Sequence, residues 1–371
     1  MVITYIVADG LNEFNSSNFR VAVPADALIK AGHTVHILNV RQWMARTDYA
    51  KQICMSADII HLQRVLVSDT HKDIGYWRSK GKAVVVDFDD AYDLIHDDNA
   101  AAPFWLHGKV SIRLESGYEY EQTMDEHPLE QFKKGLRKCT ALITPSGILS
   151  DDWKVGAPEF VVPNFLRQEL YRNARKHDNG DLVYLGWGGS LSHVQSWRDS
   201  GINDAIKRVL QDRDHTRLYL VGDQRVVDQL PIRKDRVIFS PYVPWWQWQR
   251  ILMHYDIGLA PLAGDYDDRR SNLKVAEYLM AGLPFVATRS PVYEDFWKAN
   301  SGRWAQHGHL PETYDERIES WYESMIDVVD NLGKYRKRAA KNIKTYGDRY
   351  DVDNQADTII SVYQKIIDLN K

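Results

Sequence analysis

Apolar residues along the chain fall into short unbroken runs, separated by stretches in which they recur every three or four positions. In the first half the runs cover residues 2–8, 33–40, 57–62, 81–88 and 140–145. A continuous apolar run reads as a strand buried on both faces, and helices between such runs imply a covered parallel sheet. Helices are expected over 21–31, 69–79 and 117–138, the last long and amphipathic. Near 159–180 the pattern breaks at Pro163-Asn164 and passes into the polar stretch 172–181, expected to be a structureless linker. The alternation then resumes, with strands at 181–187, 216–222, 236–240, 256–262 and 284–288. Helices are expected near 197–212, 244–254 and 272–281, and from about 313 the tail has helical periodicity. The architecture read from this pattern is α/β, two doubly wound Rossmann-like units in tandem. Ligands of such sheets bind at the carboxyl ends of the strands, so a cleft between the two domains is the expected site.

A chain of 371 residues is long enough for two domains. Composition is that of an ordinary soluble protein, but 12 Trp and 20 Tyr leave open whether some line a carbohydrate or nucleobase cleft rather than a core. No window of about 18 apolar residues exists, so no transmembrane segment is expected. Cys54 and Cys139 have neither metal-ligand spacing nor a disulfide framework, which points to a reducing cytoplasmic location. The formal net charge is −4, with the excess of acids in residues 1–170. That bias argues against broad nucleic-acid backbone binding there.

The richest stretch for chemistry is 256–288, a strand, a polar loop, a helix stopped by Gly282 and a second strand. Leu273, Ala276 and Met280 define the buried helix face, and Glu277 lies beside it. A carboxylate there is costly to bury unless it accepts hydrogen bonds. Two ribose hydroxyls would supply them; a pair with Lys274 is the alternative. Ser271 and Asn272 open the helix, where unpaired N–H groups and a partial positive charge suit a diphosphate. Upstream, Gly186, Gly188 and Gly189 would let a backbone approach a ligand, with Ser190 and His193 as donors to phosphate. In the first half, His61 ends a strand, Arg20 opens a helix, and Asp87, Asp89, Asp90 and Asp93 cluster after a buried strand. For Asp89 and Asp90 the alternative is helix or loop capping; for Arg20 it is a solvated side chain.

The segment SNLKVAEYLMAGLPFVAT, within 261–288, resembles the donor-binding segment of family-four retaining glycosyltransferases of the GT-B fold. LVYLGWGGSLSHVQSW, EFVVPNF and residues 237–262 agree with it, and 335–369 are similar to the family's closing helices. The resemblance implies GT-B, two Rossmann-like doubly wound domains facing across a cleft: an acceptor domain at 1–165, a donor domain at 166–350, and a C-terminal helix at 351–371 packing back toward the first. It implies transfer of a sugar from a nucleoside diphosphate sugar to an acceptor hydroxyl, with retention and with domain closure over Pro163-Asn164. Glu277 matches the second of the family's two glutamates eight positions apart, the one that binds the donor ribose. Arg269 stands where its first would be, with Asp267 or Asp268 as substitutes from a shifted loop. Lys274, Arg225 or Arg198 replace the family's usual phosphate-binding Arg and Lys. Tyr242 and Val243 lie where the family holds the nucleobase, with Trp245, Trp246 and Trp248 free to stack or to pack. In the first domain Gly10 and Asn12 would face the cleft. Asp89, Asp90, His61 and Arg20 would act on the acceptor or the reacting sugar. No metal and no cofactor beyond the sugar nucleotide is expected. A glycan or lipid-linked sugar is the default acceptor, with a nucleic-acid base a minority option. The basic stretch 333–344 is either a peripheral membrane contact or a solvated face. Two rivals share this architecture: a nucleotide-sugar epimerase of the hydrolysing type and a non-catalytic nucleotide- or sugar-binding protein.

Overall fold

The computed structural model describes residues 1–9, 11, 16–64, 67, 70–114, 117–174, 176–306 and 313–371. Contacts divide the chain into two compact units. One comprises Met1–Phe165, Arg269–Ser271 and Gln355–Lys371; the other Leu166–Asp268 and Asn272–Asn354.

In the first unit the strands are β1 (Val2–Val7), β2 (Thr34–Asn39), β3 (Ile59–Gln63), β4 (Ala83–Asp87), β5 (Lys109–Arg113), β6 (Glu119–Thr123), β7 (Ala141–Thr144) and β8 (Glu159–Val161). Six form a parallel sheet in the order β2-β1-β3-β4-β7-β8. The central strands β3, β4 and β7 are buried at every residue, as their unbroken apolar sequences require. Strand order reverses at β1/β3, which makes their carboxyl ends the natural ligand edge.

The second unit carries β9 (Val183–Gly189), β10 (Thr216–Gly222), β11 (Val237–Ser240), β12 (Ile257–Ala260), β13 (Phe285–Thr288) and β14 (Gly302–Ala305). Its parallel sheet runs β11-β10-β9-β12-β13-β14, the Rossmann order, with its switch point between β9 and β12. A core of Leu185, Trp187, Trp197, Ile206, Leu218 and Trp321 fills one side. Three helices, Tyr314–Asp330, Leu332–Tyr350 and Val352–Leu369, complete the chain. Among the described residues no helix is long and apolar enough to cross a membrane.

Four local expectations need correction. The helix expected over 117–138 is only Pro128–Lys138, and β5 and β6 form an antiparallel hairpin before it. Proline fits only the first turn of a helix, so Pro128 sets the start and bars extension upstream. The described stretch 176–181 of the expected linker is tied to its own unit. Asn179 Nδ2 donates to Asp256 Oδ2 at 2.7 Å, and the His177 N–H donates to the Met253 carbonyl at 2.9 Å. The first helix begins with a π-helical turn, Asn18–Ala22, ahead of Val23–Lys30. Finally β14 was not anticipated; its GRWA sequence carries too short an apolar run.

The glycines of β9 have a packing role that their sequence conceals. A Cβ on Gly186 would lie 1.9 Å from the Tyr255 ring, one on Gly188 2.2 Å from Trp248, and one on Gly189 2.4 Å from Trp187. At these positions aromatic rings occupy the space that a side chain would take. Tyr255 is buried and its hydroxyl donates to the Trp187 carbonyl at 3.1 Å, so the ring has nowhere to retreat. Gly186→Ala is therefore expected to cost about 3 kcal/mol or more by overpacking. Gly180→Ala, at a site with open space but φ of +59°, should cost on the order of 1 kcal/mol. Urea unfolding of the two variants checks the ranking.

Candidate functional site

The helix Leu273–Ala281 follows the loop after β12 and ends at Gly282, which takes the left-handed conformation with φ of +67°. Glu277 is 4% exposed. Its Oε1 accepts from the Trp248 indole N–H at 2.9 Å and from the Tyr171 hydroxyl at 3.1 Å. Burial pushes its carboxyl up to about 7, against the pull of Trp248, Lys274 and Tyr171. Lys274 Nζ donates to the Gly188 carbonyl and stands 5.3 Å from the centroid of the Trp187 ring. His193 meets the same ring edge-on at 6.3 Å. Glu277, Lys274, Gly188, Gly189 and His193 are thus gathered at the carboxyl end of β9, beside the switch point. Ser190 lies at the same end and pairs its hydroxyl with that of Ser192 at 2.9 Å.

Other residues read as donor contacts lie elsewhere. Tyr242 and Val243 follow β11, the edge strand two positions from β9. Trp248 is buried against Gly188 and bonded to Glu277, so it packs rather than stacks on a base. Asn272 caps the helix without a side-chain bond to its backbone; its Nδ2 donates to the Tyr350 hydroxyl at 3.4 Å. Arg269 and Ser271 group with the first unit, where Arg269 Nε donates to Asp152 Oδ2 at 2.5 Å. Asp267 and Asp268 are buried loop fasteners: Asp267 accepts from Ser196 and from the Ala263 N–H, Asp268 from Ser290. Arg225 and Arg198 each pair with a neighbouring aspartate, Asp223 and Asp199.

In the first unit, Arg20 is turned inward by the π-helical turn. Nε and one terminal nitrogen grip both oxygens of Asp87 at 2.8 and 2.7 Å. The other donates to the Val162 carbonyl at 2.7 Å and to Asn164 Oδ1 at 3.0 Å. The expectation that Arg20 offers its charge to a substrate does not fit this position, because its charge is already committed to a buried carboxylate. His61 belongs to the same buried chain: Nδ1 is 2.8 Å from the Tyr363 hydroxyl, and Nε2 is 3.4 Å from Asp87 Oδ2. Burial would raise the Asp87 carboxyl, but Arg20 and His61 hold it below its usual value.

Asp89 and Asp90 lie in a different setting, at the carboxyl end of β4 and facing Arg64. Arg64 donates to Asp89 Oδ1 from Nε at 3.1 Å and from a terminal nitrogen at 2.8 Å, with Asp90 at 3.5 Å. Ser16 and Asp9 complete the group, at 2.6 and 3.4 Å from the guanidinium. Asp89 is pushed up by burial, with Asp90 adding to the shift against the pull of Arg64. Arg64 has φ of +64°, rare outside glycine and a mark of a backbone held for a purpose. Arg64 was placed by sequence with His61 at a strand end where ligands are expected, though without a role; Tyr171 was not singled out. Tyr171 stands 106 positions from Glu277, with no local signal. Gly10 and Asn12 lie outside the described residues. Among the described residues no three His, Cys, Asp or Glu side chains group as a metal site.

Two Rossmann-like doubly wound sheets of this order define a GT-B fold, and the comparisons with known structures show the same fold. Residues 184–329 match the family model described as Glycosyl transferases group 1, less than half of the chain. The chain is similar to the sucrose-phosphate synthase of Thermosynechococcus elongatus, with TM-score 0.64, 12% identity and 99% of both chains covered. It is also similar to Anabaena HepE crystallised with UDP and glucose, with TM-score 0.59, 12% identity, and coverage of 97% of this chain and 100% of that one. The catalytic domain of starch synthase IV from Arabidopsis thaliana, bound to ADP and acarbose, gives TM-score 0.60, 10% identity and 99% of both chains. No curated protein matches the chain in sequence.

Removal of Arg20 tests the structural assignment. Arg20→Met leaves Asp87 buried without a counter-charge and is expected to cost about 3–5 kcal/mol. The Arg20→Met/Asp87→Asn double variant should recover part of that loss. Denaturant midpoints of both, against wild type, decide it.

Proposed function

We propose that the protein is a retaining glycosyltransferase resembling family four, which moves a sugar from a nucleoside diphosphate sugar to an acceptor hydroxyl. The observation that carries this reading is Glu277, a buried carboxyl with only neutral donors on Oε1, set one turn from Lys274 beside a Rossmann switch point. The match of 184–329 to a glycosyltransferase model covers this stretch. Two of the similar structures hold UDP with glucose or ADP with a sugar analogue.

On this reading the second unit binds the donor. The ribose hydroxyls donate to Glu277, and Lys274 with the first N–H groups of the helix neutralises the diphosphate. The bond between the anomeric carbon and the diphosphate breaks, and the acceptor oxygen bonds to that carbon on the same face. The acceptor proton passes to the departing phosphate oxygen. The first unit takes the acceptor, with Asp89 and Asp90 orienting its hydroxyl and Arg64 fixing the two carboxylates. A glycan or lipid-linked sugar is the default acceptor; the acidic first half disfavours a nucleic-acid base. We place the protein in the cytoplasm, where its two buried free thiols, Cys54 and Cys139, stay reduced.

A thermal-shift and hydrolysis screen with UDP-, GDP-, ADP- and dTDP-sugars tests the donor assignment. One nucleotide family should raise Tm, and Glu277→Gln should weaken its binding about 10- to 100-fold. No shift with any donor sinks the proposal. Transfer that needs added acceptor separates it from a hydrolysing epimerase, and tight binding without turnover would favour the non-catalytic alternative.

A pH series adds an independent check. Because the folded pKa of Glu277 is raised from 4.5 to about 7, its contribution to stability is full below 4.5 and is lost as pH rises through about 7. Donor binding to the ionised form gains over the same interval. Affinity at pH 6 should be about tenfold weaker than at pH 8, and isothermal titration should show that slope vanish in Glu277→Gln.

A further inference from the structure

Both hydrogen bonds that the Glu277 carboxyl accepts land on one oxygen. Oε1 takes the Trp248 indole N–H at 2.9 Å and the Tyr171 hydroxyl at 3.1 Å, and Oε2 takes none among the described residues. A carboxylate oxygen offers about two lone-pair sites, so the protein fills Oε1 and leaves Oε2 open. The two donors stand on separately anchored elements. Trp248 belongs to the helix Trp245–Leu252, and its ring is seated on Gly188. Tyr171 belongs to the short helix Gln168–Arg172. That helix is tied to the chain around Asp351. The Gln168 N–H donates to Asp351 Oδ1 at 3.2 Å, and the Leu166 N–H donates to the Tyr350 carbonyl at 2.9 Å.

Tyr171 is itself held by a further donor. It is buried, its one hydroxyl hydrogen goes to Glu277, and its oxygen accepts from the buried Gln249 amide. A hydroxyl that accepts a hydrogen bond donates a stronger one, so Gln249, Tyr171 and Oε1 form a chain. Lys274 pulls on Glu277 from its own helix. The phenols of Tyr171, Tyr255 and Tyr278 also act on it. Burial lifts all three well above their ordinary value, so each stays a neutral hydroxyl into the alkaline range. Two further elements pack on this helix, Pro291–Phe296 and Leu332–Tyr350. Their Asp295, Arg349 and Tyr350 are bonded to one another. With Oε1 filled, the proton of neutral Glu277 falls on Oε2, the oxygen left for a ligand.

We propose that Tyr171 is a positioning residue for the sugar nucleotide: by filling Oε1 it presents Oε2 as an open, ionised acceptor to the paired ribose hydroxyls. The role rests on the donor reading of Glu277. Tyr171 acts through the carboxylate alone and touches no part of the donor. Its hydrogen bond favours the charged form of Glu277 against the burial that disfavours it. Loss of the hydroxyl leaves Glu277 more often protonated at neutral pH, and the ribose then meets a hydrogen on Oε2 instead of a lone pair.

Two readouts on the full chain test it, with Tyr171→Phe beside wild type and cooperative thermal unfolding to confirm that the variant folds. In donor-free protein carrying 13C at the glutamate carboxyls, the resonance that titrates at about 7 is assigned by its loss in Glu277→Gln. Tyr171→Phe should move its midpoint upward by about one pH unit. The second readout is isothermal titration with UDP-, GDP-, ADP- and dTDP-sugars. For the donor that wild type binds, the variant should be about fivefold weaker at pH 7 and within about twofold of wild type at pH 9. A hydroxyl that only stabilised the fold would lower affinity equally at both pH values, or not at all. Either of those results, or an unmoved carboxyl midpoint, overturns the role of Tyr171 and leaves the donor reading standing. Wild type that binds none of the four donors overturns the donor reading, and this role with it. Should Tyr171→Phe not fold, Gln249→Met strips the phenol of its own donor and should move both readouts the same way by a smaller amount. Unmoved readouts in that variant overturn the proposal.

Discussion

Aromatic rings seated on glycines set the geometry of the second unit. Tyr255 lies on Gly186, Trp248 on Gly188 and Tyr278 on Gly258, each so close that a Cβ would overlap the ring. Each ring also spends its polar atom on the site's framework. The Tyr255 hydroxyl donates to Trp187, the Tyr278 hydroxyl donates to the Leu259 carbonyl at 2.7 Å, and the Trp248 N–H donates to Glu277. Packing and hydrogen bonding therefore fix the same atoms. Strands β9 and β12 and the helix bearing Glu277 are positioned together, and no one of them can shift without opening a void or stranding a buried polar group.

Three buried carboxylates show how the chain separates structure from chemistry. Asp87 and Asp256 are each met by cations and sit below their usual pKa. Glu277 is as deeply buried, yet its hydrogen-bond donors are a phenol and an indole, and its pKa rises instead. Burial outweighs the pull of these two donors and of Lys274, so its carboxyl is pushed up to about 7. Such an imbalance is retained where a ligand supplies the missing donors. In the first unit the same contrast divides two arginines: Arg20 is spent inside the protein, whereas Arg64 faces two acids with a strained backbone at a strand end.

The sheets were legible because their central strands are buried on both faces, and that burial writes itself as unbroken apolar runs such as VITYIV and AVVVD. Edge elements leave a fainter record: GRWA is short, and the hairpin strand EYEQT is exposed at every residue. Its alternation was absorbed into a neighbouring helix although Pro128 marked the boundary. Glu277 could be found because a carboxylate beside an apolar stripe is a local anomaly. The glycines near it were read as places of close approach by a ligand; a sequence shows an absent side chain but not the ring that takes its space. Tyr171 and Trp248 are partners of Glu277 only through the fold.

Lys274 joins these threads on the proposed reading. Its contacts include the Gly188 carbonyl and the Trp187 face, both uncharged, so each stabilises the ammonium without neutralising it. A diphosphate at the end of β9 offers charge where these offer only dipole and quadrupole, and a charge-assisted bond is roughly twice as strong as a neutral one. Lys274 can therefore exchange partners with little movement, since Nζ already stands at the glycine end of the strand. Lys274 and Glu277 are one helical turn apart, and Lys274 pulls on the Glu277 carboxylate. A nucleoside diphosphate carries groups suited to both: an anion for Lys274 and paired hydroxyl donors for Glu277.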